Sequence, residues 1–69
     1  MRDLSECAES LRKIKLTDPA DLIEELIKEG YIHLGNLRSS RSCNPTLVNS
    51  LAHRIDRAEA ILEHRKQLK

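Results

Sequence analysis

The chain has 69 residues, which suits one small domain, so we expect a single domain over residues 1–69. Its net charge is only +1, from 12 basic and 11 acidic side chains, so the composition indicates neither a polyanion nor a membrane surface as a partner. No run approaches the roughly 20 apolar residues that cross a membrane. No apolar leader follows Met1, so we expect a cytoplasmic protein.

Aliphatic side chains must supply nearly all of the core, because Tyr31 is the only aromatic residue and the chain has neither Trp nor Phe. At roughly 25 cal/mol per Å² of apolar area buried, a core of this size is marginal. Small domains close that gap with disulfides, a metal or a partner chain. Cys7 and Cys43 are the only cysteines, and we expect two free thiols, with a disulfide between them as the less favoured alternative.

The first predicted helix covers about residues 3–16. Its apolar side chains recur at spacings of three and four and form one stripe, which is typical of an amphipathic helix. We expect Asp3 or Ser5 to cap its N terminus. The stripe consists of Leu4, Cys7, Ala8, Leu11 and Ile14.

The second predicted helix covers about residues 19–40. We expect Asp18 as its N-cap and Pro19 at its first helical position, where the missing N–H costs nothing. The apolar stripe stays in register across Gly30 and Gly35, although each glycine costs about 1 kcal/mol relative to Ala. The register favours one continuous helix over a break at Gly30, and a glycine on the stripe allows a facing helix to approach closely.

The third predicted helix covers about residues 45–67, after a loop rich in Arg and Ser. Asn44 is expected as its N-cap and Pro45 at its first position. Its stripe has the heptad-like spacing of a coiled-coil seam: Val48, Leu51, Ile55, Ala58 and Leu62. Two helices of similar length joined by a short loop predict an antiparallel hairpin. The predicted fold class is therefore all-α, a helical hairpin with a shorter N-terminal helix.

No motif in the chain predicts catalysis, a metal site or a cofactor. His53 and His64 share a face of the third helix but lie among Arg and Lys residues, which indicates a solvated basic face. No pair of His or Cys residues has the close spacing of metal ligands. A nucleophile pair of Cys43 and His33 lacks an orienting group. We therefore expect a non-enzymatic protein with no metal and no cofactor.

Charge is divided along the chain, with a balance of −3 over residues 1–37 and +4 over residues 38–69. The basic half makes a small DNA-binding or regulator-binding protein the alternative function. Against this alternative, the third helix begins with Leu47 and Val48, where a recognition helix would present polar side chains. The overall charge is also far from the strongly basic footprint of nucleic-acid-binding domains.

The apolar positions together exceed what one hairpin covers. Leu22, Leu26 and Ile32 lie away from the stripe of the second helix, and either the first helix or another chain covers them. We expect an outside chain to dock on this broad, glycine-containing helix. The predicted partner-binding residues are Leu22, Ile23, Leu26, Ile27, Gly30, Leu34, Leu37, Val48, Leu51, Ile55, Ala58 and Leu62.

The last helix and the loop before it resemble the small E-type co-chaperones of bacterial type III secretion needle subunits. The similarity rests on Asn44-Pro45 after the Arg/Ser loop and on the run from His53 to Leu62, and it extends over about residues 19–67. The resemblance implies a hairpin that binds a larger helical-repeat chaperone, the two together holding the needle subunit monomeric in the bacterial cytoplasm. Homodimerisation of the isolated chain through the same surface is an alternative.

Overall fold

The computed structural model describes residues 2–41 and 44–67, and over these residues it contains three α-helices and no strand. Helix α1 spans Leu4–Lys13, α2 spans Ala20–Ser39 and α3 spans Pro45–Gln67. The predicted all-α fold, a helical hairpin with a shorter N-terminal helix, is confirmed. Helix α2 runs without interruption through Gly30, as its apolar register predicted.

The long helices α2 and α3 pack antiparallel. Arg38 of α2 lines the same groove as Ala52 of α3, whereas Glu24 near the start of α2 lines a groove with Lys66 near the end of α3. Helix α1 packs against both of them and runs antiparallel to α2. The arrangement is a three-helix bundle, elongated to 44 × 20 × 16 Å because α2 and α3 are long and lie side by side.

The core draws on all three helices and on the connection after α1. Aliphatic side chains fill it, as the shortage of aromatic residues required. Its buried apolar residues are Cys7, Leu11, Ile14, Ile23, Leu26, Ile27, Leu34, Leu51, Ile55 and Ala58.

Gly30 lies at a close contact of all three helices. A Cβ atom at this position would lie 2.9 Å from Cγ1 of Ile55 and 3.2 Å from Cδ1 of Leu11. The close helix approach expected at a stripe glycine is therefore present here, and it involves α1 as well as α3. Gly35 differs, because a Cβ atom there would meet no atom within 4 Å.

Two of the expected N-caps are present. The side chain of Asp3 accepts a hydrogen bond from the backbone N of Glu6 at 2.8 Å, which caps α1. Asn44 Oδ1 accepts from the backbone N of Thr46 at 3.0 Å and of Leu47 at 3.4 Å, at the start of α3.

The expected cap of α2 is wrong. Pro19 occupies the N-cap position without a side-chain hydrogen bond, so α2 begins one residue later than predicted. The side chain of Asp18 instead accepts from the backbone N of Lys15 at 2.9 Å and thereby closes the turn between α1 and α2. Helix α1 also ends earlier than predicted, because Ile14 adopts an extended backbone (ψ 135°) and its side chain enters the core.

Cys7 is a free, buried thiol, as expected for a small apolar side chain on the α1 stripe. The other predicted free thiol, Cys43, lies outside the described residues.

Candidate functional site

The twelve predicted partner-binding residues fall into two groups in the folded chain. Eight are buried in the chain's own core: Ile23, Leu26, Ile27, Gly30, Leu34, Leu51, Ile55 and Ala58. Four remain partly exposed: Leu22, Leu37, Val48 and Leu62. Only the second group reaches the surface of the closed bundle, and the binding of a partner by either group stays a prediction.

Helix α1 covers part of the flank of α2 that the sequence assigned either to the first helix or to another chain. Leu26 is buried, and Cys7 Sγ lies 3.8 Å from the carbonyl oxygen of Leu26. The burial of Cys7 raises the pKa of its thiol, and the negative charge of Glu29 adds a smaller contribution. Ile32 is not covered and remains 51% exposed. The first helix therefore accounts for Leu26 but leaves Ile32 open.

The segment before α1 is anchored to α2 through Arg2. Its backbone N donates to Glu29 Oε1 at 3.0 Å, and its guanidinium Nη1 donates to Glu29 Oε2 at 2.9 Å. His33 Nε2 donates to the carbonyl oxygen of Arg2 at 2.9 Å, which places the ring proton on Nε2. Glu29 is buried, so these bonds satisfy a carboxylate that has left water. Arg2 thus lies at the level of His33 along α2.

Two arginines of the predicted basic face serve the fold. Arg57 Nη1 donates to the carbonyl oxygen of Arg12 at 2.9 Å, where the last turn of α1 leaves acceptors unpaired. Arg65 Nη1 donates to the carbonyl oxygens of Leu16, at 2.8 Å, and of Asp18. The expectation of a solvated basic face holds for His53, His64 and Arg57, which are exposed, although Arg57 also bonds to α1, whereas Arg65 is only partly exposed.

The remaining candidates for chemistry are not brought together. Among the described residues, no group of three or more His, Cys, Asp and Glu side chains is placed to hold a metal ion. His33 is engaged by the backbone of Arg2, and Cys43, its suggested partner, lies outside the described residues. None of the helices, over their described residues, is long and apolar enough to cross a bilayer.

No family model, curated protein or solved structure matches the chain.

The hairpin extends well beyond α1. Helix α1 has 10 residues and is about 15 Å long, whereas the 20 residues of α2 extend about 30 Å. Since Arg2 lies at His33, the last six residues of α2 and the facing start of α3 project past the first helix. The α1-facing row of α2 recurs at spacings of three and four, as Leu22, Leu26, Glu29, His33 and Leu37. Its last member, Leu37, therefore has no residue of α1 opposite it.

Helix α3 presents a matching row toward α1. Arg65, which bonds the connection after α1, shares one side of the helix with Ile61, Arg54 and Leu47, at spacings of four, seven and seven. Leu47 lies about 10 Å beyond Arg54 along the axis and is 37% exposed. Arg54 lies beside α1, because its neighbour Ile55 meets Leu11 at Gly30 and Arg57, one turn further on, bonds to Arg12.

The middle of the chain contains a long run without acidic residues, although Asp56 of α3 lines the same groove as Arg38. Residues 30–55 contain no Asp or Glu, but they contain Arg38, Arg41 and Arg54. Among the described residues, these three arginines make no ion pair, because the ion pairs present join Glu29 to Arg2 and Glu9 to Arg12 and Lys13. The comparison of net charge between the two halves of the chain did not reveal this run without Asp or Glu, although the run is visible in the sequence.

Tyr31 and Ile32 lie side by side on α2 but have different surroundings. The Tyr31 hydroxyl donates to Glu59 Oε1 of α3, and this hydrogen bond, aided by desolvation and the charges of Glu59 and Asp56, raises the pKa of Tyr31. Ile32 belongs to the outward side of α2, away from both neighbouring helices. Tyr31 therefore links α2 to α3. Ile32 is a single exposed apolar side chain of the kind that folded proteins commonly carry.

Proposed function

We propose that the chain is a non-enzymatic co-chaperone of bacterial type III secretion, which binds a larger helical-repeat chaperone in the cytoplasm. Together the two proteins would keep the needle subunit from polymerising. The proposal starts from the resemblance of the loop and last helix to the E-type co-chaperones. A protein that polymerises through an amphipathic helix needs that helix covered until export, and helical partners cover such faces efficiently.

The observation that carries the proposal is the projecting end of the hairpin. Helices α2 and α3 extend past the first turn of α1 and keep Leu37, Leu47 and Val48 partly or substantially exposed. This end of the hairpin offers a third helix the same grooves that α1 occupies lower in the bundle. It suits an adaptor whose partner is itself helical.

The alternative, a DNA-binding protein, draws support from the acid-free run of residues 30–55. The internal use of Arg57 and Arg65 weighs against it, since these side chains are occupied by carbonyl oxygens of the chain itself. Nucleic-acid binding falls steeply as salt increases, because cations are released from the phosphates. Association through helix faces responds little to salt, so a salt titration with random duplex DNA separates the two functions.

The test of the proposal is co-expression of the chain with helical-repeat chaperones and needle subunits from the same secretion locus. We expect the chain to co-purify with one chaperone, and light scattering to find the needle subunit monomeric in the complex. Leu16→Glu is the matched surface control, because Leu16 is exposed at the opposite end of the bundle and should retain capture. Leu51→Asp, which places a charge in the core, should abolish it.

A stable chain that captures no helical-repeat chaperone, at low or at high salt, would overturn the proposal. Capture by the Leu51→Asp variant equal to that of the native chain would do the same, since the folded hairpin would then be irrelevant to binding.

A further inference from the structure

We propose that the chain forms a two-fold symmetric dimer through the side of the α2–α3 hairpin that faces away from α1. The surface consists of two adjoining cavities between α2 and α3, and we name it the hairpin groove. Its occupant is a second copy of the chain. The inference goes beyond the proposed function and does not rest on it.

Two rows of side chains form the walls of the hairpin groove, and each row repeats at alternating spacings of four and three, which keeps it on one side of its helix. The Tyr31 hydroxyl donates to Glu59 across the groove and so fixes the register of the two rows. From one end of the groove to the other, the row on α2 is Glu24, Lys28, Tyr31, Gly35 and Arg38. In the same direction, the row on α3 is Lys66, Glu63, Glu59, Asp56 and Ala52.

Helix α1 lies on the other side of the hairpin. The hydrogen bonds that hold α1 and the segment before it reach Glu29 and His33 of α2 and Arg57 of α3. At about 100° per residue, these positions point away from the two rows. The hairpin groove is therefore open to another molecule, and between its charged side chains it presents Tyr31, which is 50% exposed, and the partly exposed Leu62.

Gly35 supports the close approach of another helix to the groove. A glycine within a helix is less favourable than Ala, and at Gly30 the contact with Ile55 and Leu11 accounts for it. At Gly35 a Cβ atom would meet no atom of the chain within 4 Å. The packing of the single chain therefore gives Gly35 no role, whereas a helix lying on the groove would contact its bare backbone.

The charges of the two walls favour a second copy as the occupant. The row on α2 carries two positive side chains and one negative, whereas the row on α3 carries three negative side chains and one positive. None of these side chains forms an ion pair with another residue that the structure describes. A partner must therefore present a negative row to α2 and a positive row to α3, and a second copy has both. The four carboxylates of the groove would repel a nucleic acid.

A two-fold axis along the groove brings the complementary rows together. It lays α2 of one copy on α3 of the other, and every residue keeps its level along the groove. Lys28 then lies opposite Glu63 of the second copy, and this contact occurs twice by symmetry. All neighbouring helices are antiparallel, as in many four-helix bundles. An axis across the helices instead lays α3 on α3, which places Glu59 against its own copy and Glu63 against Asp56, so the like charges exclude it.

Sedimentation equilibrium of the whole chain at increasing concentration tests the inference. We expect a monomer–dimer equilibrium with a dissociation constant above about 1 μM, because the groove presents few apolar side chains. Lys28→Glu and Glu63→Lys should each weaken the homodimer at least about tenfold, since each change places two pairs of like charges across the interface. An equimolar mixture of these two variants should recover the association of the native chain, because both contacts then pair opposite charges.

The mixture separates contact between chains from changes within one chain. Each variant also carries like charges across its own groove, so recovery on mixing reports the contact between copies. Glu25→Lys is the matched control, because Glu25 is exposed on α2 outside the groove and its reversal should leave the dimer unchanged. Gly35→Glu should abolish the dimer, while circular dichroism shows a folded chain because the position is open.

A chain that stays monomeric at every concentration would overturn the inference. The same conclusion follows if the mixture associates no better than the separate variants. A dimer that survives Gly35→Glu would overturn it in favour of another face. If the native chain is monomeric but loses capture of a helical-repeat chaperone on Gly35→Glu, the groove belongs to a helix of another protein and the dimer is ruled out.

Discussion

Arg2 donates two hydrogen bonds to the carboxylate of Glu29, one from its backbone N at 3.0 Å and one from its guanidinium at 2.9 Å. The pair holds the segment before α1 against the middle of α2. Of the ion pairs among the described residues, it is the one in which the carboxylate is buried.

Replacing Arg2 with Ala should lower the free energy of unfolding by about 1–2 kcal/mol, since Glu29 would keep its buried charge without the partner. This expected loss of stability is smaller than that for a fully buried ion pair, because a third of the Arg2 side chain is exposed. Adding Glu29→Gln to Arg2→Ala should cost less than the sum of the two single changes. Urea unfolding followed by circular dichroism measures all three variants.

The exposed Arg12–Glu9 pair supplies the control for this cycle. Arg12→Ala should leave stability nearly unchanged, because exposed ion pairs contribute little. Strictly additive effects of Arg2→Ala and Glu29→Gln would contradict the direct coupling.

The two glycines of α2 should respond to Ala in opposite directions. Gly30→Ala places a methyl group 2.9 Å from Ile55 Cγ1, and the crowding should exceed the gain in helix propensity, for a net loss of about 1–2 kcal/mol. Gly35→Ala meets no atom within 4 Å and should stabilise the chain by up to about 1 kcal/mol. Thermal unfolding of the two variants compares them directly. Stabilisation by Gly30→Ala would mean that the helices separate readily at this contact.

Arg65 should control the local opening of the connection between α1 and α2. Arg65→Ala removes the donor that satisfies the carbonyl oxygens of Leu16 and Asp18. A loss of about 1 kcal/mol should accelerate amide hydrogen exchange in α1 about fivefold. Lys66→Ala is the neighbouring control and should leave that exchange unchanged. Equal exchange in the two variants would show that the guanidinium contributes nothing to holding α1.

Tyr31 should titrate above its ordinary pKa of 10.0, because its hydroxyl is hydrogen-bonded to Glu59 and faces further negative charge. Its pKa is raised in the folded state, so the stabilisation is fully present below the unfolded pKa and is lost as the pH rises through the folded pKa. Tyrosinate absorbance measures this directly, since the chain has no other Tyr and no Trp.

Glu59→Gln should bring the Tyr31 pKa back toward 10, since the amide removes the negative charge. Glu63→Gln is the matched control, one turn further along α3. An identical pKa in the native chain and in the Glu59→Gln variant would rule out the cross-helix bond.

The fold class follows from local features of the sequence. The spacing of apolar residues predicted all three helices, and Asp3 and Asn44 act as caps because a short polar side chain directly before a helix can reach its free N–H groups. The same reasoning failed for Asp18. Its carboxylate accepts from the backbone N of Lys15, on the other side of the turn, and only the geometry of the turn decided this.

The candidate site could be predicted only in part. Leu37 and Val48 were among the predicted partner-binding residues and remain partly exposed, whereas Leu34 and Leu51 from the same stripes are buried. Leu47, which is 37% exposed, was not among the predicted residues.

The sequence by itself determined which side chains share a helix face, because helical periodicity is a local property. It also determined that the apolar faces exceed the needs of one hairpin. Only the tertiary structure decided what covers each face: α1 buries Leu26 through Cys7, while Ile32 stays exposed. The reason is that burial depends on where another helix begins and ends in space, and neither the spacing nor the composition of a helix contains that information.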